Sequence, residues 1–240
     1  RLELDSGAPV FICEAYFPHS SKIRKHRKAW QEIAVRVREY RENGHVVVMG
    51  DFNAHTGANG GSVDAAGRLL KRQAGELGLE EPVETETSFA GNARLKAHFA
   101  AQAAGLPALS DDSGICVDGL DGAPGVYTAD WAETPSGRDF TMAMTRVWKE
   151  LDAANAPFPR RAQFNCTLCL AWPDGHDEIF AGIAPGQVVW PMRGMHGFGF
   201  DPMFQPDGFD RTFAEMLPEE KHPLSHRADA FNKLVSGCLT

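Results

Sequence analysis

Four stretches of this chain carry side chains able to do chemistry. In "LSDDSG", Asp111, Asp112 and Ser113 interrupt an otherwise apolar run. Burying adjacent carboxylates without a partner is costly. A divalent cation would satisfy them, and Glu84 supplies a further oxygen ligand of the kind Mg2+ prefers. The plainer alternative is a pair of solvated turn acids. In "GFGFDP", Gly197, Phe198, Gly199, Phe200 and Asp201 make a flexible loop whose aromatic faces suit stacking on a base. In "EEKHPLSHRADAF", Lys221, His226 and Arg227 supply cations, and Ser225 is placed to cap the following helix. A helix N-terminus flanked by His and Arg is a natural site for an anion or a carbonyl oxygen; the alternative is a capped, exposed amphipathic helix. Finally, "VVVMGDFNAHTG" at 47–58 reads as a short buried strand delivering Asp51 and Asn53 to its mouth, where a carboxylate and an amide could hold a metal and a phosphate.

These residues need a scaffold, and 240 residues can bury a real core as one large or two small domains. A net charge of −8 argues against a chain whose main work is gripping nucleic acid. No apolar run approaches the roughly 18 residues of a membrane span, so a cytoplasmic protein is the expectation. Five cysteines without secretory features favour free thiols. Cys166 and Cys169 form a CxxC in a segment that reads as a strand. Residues three apart on a strand point to opposite faces, so this pair cannot jointly chelate a metal.

The elements follow from periodicity. A strand at 9–17, a helix at 22–42 stopped by Asn43-Gly44, and the strand "HVVVMG" form one β-α-β unit, whose strands should be parallel. A polar loop, a helix near 65–79 and an acidic linker come next. A helix at 91–106 precedes a strand interrupted by the two acids, and a further helix spans 139–154. "RAQFNCTLCLAW" and "EIFAGIAPGQVVW" flank the turn "PDGHD" and should pair as a hairpin. An acidic loop then runs into a closing helix. Strands alternating with helices argue α/β.

Two resemblances bear on these stretches. From about Leu79 onward, "ETETSFAGNARLKA", "GLPALSDDSGICVDGLDGAPGVYTADWA", "GFGFDPMF", "TFAEM" and "EEKHPLSHRADAF" follow one another as they do in the inosine/xanthosine triphosphate pyrophosphatase (Ham1/RdgB-like) family. That resemblance implies hydrolysis of aberrant purine nucleoside triphosphates to monophosphate and pyrophosphate. It implies Mg2+ on Glu84 and Asp112, with Asp112 as general base toward water attacking the α-phosphate. It assigns nucleotide contacts to Ser113, Phe198, Gly199, Phe200, Asp201, Lys221, His226 and Arg227, and it implies a homodimer. Residues 9–79, with "VVVMGDFNAHTG" at their centre, resemble an internal part of the endonuclease/exonuclease/phosphatase superfamily. There the Asp of GDFN activates water and the Asn holds the scissile phosphate, roles that would fall on Asp51 and Asn53. The early metal-binding Glu and late Ser-Asp-His motif of that superfamily are absent from this sequence.

The pyrophosphatase pattern also breaks. The "TxNxxK" loop that opens that family and holds the triphosphate is missing, and Glu86 stands where Gly is usual. The expectation is therefore an α/β chimera. Residues 1–79 form a foreign N-terminal β-α-β unit, and 80–240 a pyrophosphatase-like domain with a mixed sheet flanked by helices. Activity is expected to be weakened by the missing loop, unless the loop bearing Asn53 takes its place. A metal-dependent nuclease or phosphatase led by Asp51 and Asn53 is the second reading, and an inactive chimeric scaffold the third.

Overall fold

The computed structural model describes residues 82–105 and 107–238 in full, together with the strands Leu2–Glu3 (β1), Pro9–Glu14 (β2) and His45–Met49 (β3). β2 and β3 pair in parallel with Val10 opposite His45, as a β-α-β unit requires, and β1 adds antiparallel to β2. The helices expected at 22–42 and 65–79 lie outside the described residues, as do Asp51 and Asn53.

Ser88 sets where the first described helix begins. Its side chain accepts the Gly91 N–H at 3.1 Å, so α1 runs Phe89–Ala104 and starts two residues before the expected 91. Gly105, in the left-handed region, returns its N–H to Ala101 and ends it. β4 follows as Ala108–Val117. The two acids do not interrupt it: all ten residues stay in register with β7, because the ladder is made by backbone groups whatever the side chain. A short hairpin, β5 (Glu133–Thr134) and β6 (Gly137–Arg138), leads to α2, Phe140–Ala153, whose first turn is capped by the Asp139 carboxylate. The long strands β7 (Arg161–Ala171) and β8 (Asp177–Val188) form the expected hairpin, and β9 (Phe204–Pro206) completes an antiparallel sheet in the order β4-β7-β8-β9. The single-turn α3 (Pro218–Lys221) and the helix α4 (His226–Cys238) close the chain.

Both faces of this sheet are covered. On one, Leu109, Cys166, Leu168 and Leu170 pack under Ala230 and Leu234 of α4. Farther along the strands, Ile115, Val117, Phe164 and Val188 join Met144, Val147 and Leu151 of α2. On the other, Cys169 and Ala171 meet Ala93, Ala97 and Ala101, an i, i+4, i+8 stripe on α1. Cys166 and Cys169 thus face opposite ways, as their spacing predicts. Burial pushes both thiols up to about 12, which leaves them protonated and inert. β3 approaches within 8 Å of β4, Cα to Cα. Among the described residues no helix is long and apolar enough to cross a membrane.

Candidate active site

Alternation along β4 decides which acid meets which helix. Asp112 and Ser110 point toward α1, while Asp111 and Ser113 point to the face covered by α4. Ser110 ties the first pair down by donating to the Ala93 carbonyl at 2.6 Å.

On the α1 side Asp112 is buried and Asn92 Nδ2 donates to its Oδ2 at 3.1 Å. The other end of that amide accepts the Glu86 N–H at 3.0 Å, so Asn92 is locked between strand and loop. One turn later on α1, Lys96 sends Nζ to Glu84 Oε1 at 2.6 Å and stands 3.7 Å from Asp112 Oδ1. Burial, reinforced by Glu84 and Asp111 and opposed by Lys96 and Asn92, pushes the Asp112 carboxyl up to about 6. Lys96 moves the other way from its burial: desolvation pulls it down, but Asp112 and Glu84 outweigh that and leave it raised. The ion pair therefore favours the charged lysine, while for Asp112 the dry surroundings and like charges win.

On the α4 side a loop with positive φ at Gly194, Gly197 and Gly199 carries the aromatics. Asp201 is 3% exposed and its Oδ2 accepts both the Phe198 N–H at 2.8 Å and Lys221 Nζ at 2.6 Å. A Cβ on Gly197 would lie 2.0 Å from that same oxygen, so glycine is required where the loop folds over its clasp. Lys221 also stands 5.1 Å from the centre of the Phe198 ring, within cation–π range. Phe200 does not share the stacking role expected for it. It is 1% exposed and packs edge-on to Phe140 in the core, so Phe198 alone faces outward. Asp201 likewise sits behind the loop as its support. A cavity of about 390 Å³ lies against the loop, lined by Phe198, Gly199, Phe140, Met144 and His196.

Ser225 caps α4 as expected, its Oγ accepting the Ala228 N–H at 3.1 Å. The helix is not an exposed one at this end: His226 is buried and stacks on Phe164 at 4.9 Å. Burial, then Arg227 and Lys221, hold its imidazole well below 6.5, so it is neutral at pH 7. Its Nδ1 is a buried polar atom with no hydrogen-bond partner among the described residues. Arg227 reaches back to β4, with Nη2 3.4 Å from Asp111 Oδ2, and Ser113 Oγ donates to the same oxygen at 2.9 Å.

The residues expected from the sequence therefore assemble as two half-sites on either face of β4. Glu84 and Asp112 form one, and Ser113, Phe198, Gly199, Asp201, Lys221, His226 and Arg227 the other. Sequence reasoning missed Asn92 and Lys96. Their signal was a polar pair spaced four apart beside the alanine stripe of α1, which puts both on one helix face.

No group of three or more His, Cys, Asp or Glu among the described residues is arranged to hold a metal ion. Two carboxylates converging on one ammonium do fit a hard divalent cation that takes one or two carboxylates and leaves its other positions to water and phosphate oxygens. The chemistry open to the arrangement is proton abstraction by Asp112 beside the Lys96 ammonium, with a loop-side cavity against Phe198 on the other face.

Over residues 60–237 the chain matches the profile described as the Ham1 family. A protein of Ruegeria pomeroyi named dITP/XTP pyrophosphatase is 68% identical over 166 residues, which cover 69% of this chain and 81% of that protein. One of the same name from Agrobacterium fabrum is 56% identical over 179 residues, covering 70% and 84%. Among solved structures, a HAM1 protein from Coxiella burnetii aligns with a TM-score of 0.66 at 26% identity, over 94% of this chain and 98% of that one. The Staphylococcus aureus Ham1 protein gives 0.63 at 25%, over 94% and 97%. These likenesses lend nothing to the nuclease-like identity expected for residues 9–79.

Proposed function

This chain belongs to the Ham1 family, and from that premise we propose that it hydrolyses ITP, dITP and XTP to the monophosphate and pyrophosphate. The observation that carries the proposal is the pairing of a buried carboxylate with a lysine on one face of β4 and a buried His226 flanked by Lys221 and Arg227 on the other. Relatives named dITP/XTP pyrophosphatase at 68% and 56% identity support the substrate class.

In this reading Asp112 takes the proton from the water that attacks the α-phosphate. Asn92 occupies Oδ2, so Oδ1 is the accepting atom. Lys96, beside Oδ1, offers its ammonium to the charge that develops on phosphate. Glu84 and Asp112 would hold Mg2+, which when bound polarises phosphate oxygens and lowers the pKa of its water. Phe198 stacks on the base, and Lys221, His226 and Arg227 meet its 6-oxo edge. A site built to donate there leaves its groups unpaired against a 6-amino base, which disfavours ATP. Asp201 and Ser113 act from behind this contact layer.

The family's opening phosphate loop has no counterpart in the sequence. The approach of β3 to β4 supports the loop bearing Asn53 as its stand-in. The Ham1 match begins at residue 60, inside the 1–79 segment expected to be foreign; the foreign origin of the residues before it and assembly as a homodimer are parts of the proposal that rest on sequence resemblance.

The deciding experiment is pyrophosphate release from ITP and XTP with Mg2+, with ATP and GTP as controls, on wild type and Asp112→Asn. Release selective for ITP or XTP, falling by at least about a hundredfold in the variant, is expected for loss of a general base. Equal release from ATP, or full activity in Asp112→Asn, would falsify the proposal.

A further inference from the structure

Asp111 and Asp112 are neighbours in sequence, yet the pleat of β4 sends them to different half-sites. Asp112 has the partners of a reacting group. Asp111 has those of a support: Ser113 Oγ at 2.9 Å and Arg227 Nη2 at 3.4 Å, both on one carboxylate oxygen. Arg227 opens α4 directly after the buried His226, and Lys221, the other cation of the pocket, is held in the same manner by Asp201 at 2.6 Å. Among the described contacts, Lys221 and Arg227 thus each have a carboxylate beside them. Arg227 is anchored to the strand that carries Asp112, whereas Lys221 is anchored to the aromatic loop. A guanidinium is a planar fork, so even a single carboxylate contact at Nη2 restricts how that plane can turn.

We propose that Asp111 is a positioning residue that aims Arg227 at the nucleobase and so ties base recognition to the catalytic strand. This role rests on the pyrophosphatase reading given above. It predicts a loss confined to binding and discrimination. In Asp111→Asn, KM for ITP should rise about tenfold, as for loss of one charge-assisted hydrogen bond, with kcat changed less than about threefold. The preference for ITP over ATP should fall by a similar factor, and Asp111→Glu should recover part of both. Adding Asp111→Asn to Arg227→Ala should cost nothing further, since the aimed group is already gone. A general structural defect would move kcat with KM and would multiply with Arg227→Ala.

A collapse of kcat at unchanged KM, or multiplying losses in the double variant, overturns the assignment. If the wild-type protein releases no pyrophosphate, the functional reading fails by itself. The pairing is then read by thermal unfolding of the same variants: non-additive shifts for Asp111→Asn and Arg227→Ala uphold the anchor, and additive shifts overturn it.

Discussion

A histidine buried on an aromatic ring and flanked by two cations has a consequence for acid stability. Unfolded, His226 titrates near 6.5; folded, it is held well below that by burial, then by Arg227 and Lys221. Protons taken up below 6.5 therefore go to the unfolded chain. His226 contributes its full stability above that pH and loses it as pH falls toward the folded value. Asp201, raised by burial, works in the opposite sense, so the test is the difference between wild type and His226→Gln. The melting temperature of the variant should fall less steeply from pH 6.5 to 5; parallel curves would mean that His226 is not held neutral. The chemistry of single residues was partly legible. Glu84, Asp112, Lys221 and Arg227 were singled out from charge in the wrong surroundings and from family motifs, and the fold pairs Lys96 with Glu84 and Asp112 and Arg227 with Asp111. Phe200 was misread because "GFGF" has a period of two, which suggests one shared face. The left-handed Gly199 breaks that period and turns Phe200 into the core. Asn92 and Lys96 had a readable spacing, but nothing in the sequence says that Asp112 lies under that face of α1.

At the scale of elements, the site depends on how close α4 comes to β8. A Cβ on Gly182 would lie 2.1 Å from the His226 carbonyl oxygen and 2.3 Å from the Ala230 nitrogen, both backbone atoms. Only glycine admits this approach, and the Asp229 carboxylate, accepting the Ile183 N–H at 3.0 Å, fixes it. Gly182→Ala must push the start of α4 off the sheet and carry His226 and Arg227 with it. The expected cost is about 1–3 kcal/mol in denaturant unfolding, typical of overpacking. KM for ITP should also rise more than kcat falls, because Asp112 sits on another strand. A variant of wild-type stability and KM would show that α4 relaxes without moving the pocket. The elements themselves were readable: the hairpin of β7 and β8, α2, and the capped α4 follow from alternation, from a 3.6-residue period and from Asp139 and Ser225. The start of α1 moved because the Ser88 cap outweighed periodicity. A glycine within a strand signals close approach, but the sequence of β8 could not name α4 as the neighbour.

For the molecule as a whole, the sheet is a partition. In the proposed reading phosphate chemistry falls on the α1 face and base recognition on the α4 face, and one peptide unit joins Asp111 to Asp112. That architecture was not legible in the sequence, because the motifs follow one another along the chain without indicating which face each will occupy. It does make the two half-sites separable by ligand. With Mg2+, pyrophosphate alone should stabilise the protein through the Lys96 side. An ITP analogue with a non-cleavable α–β bridge should add the base-side contribution. At about a hundred times Kd each ligand contributes roughly 2.7 kcal/mol if it binds only the folded state. Lys221→Met should keep the thermal shift given by pyrophosphate and lose the increment given by the analogue, whereas Lys96→Met should lose the pyrophosphate shift. If Lys221→Met abolishes the pyrophosphate shift as well, the faces do not act independently and β4 transmits more than position. In that case the anchor between Asp111 and Arg227 is the first contact through which such coupling would run.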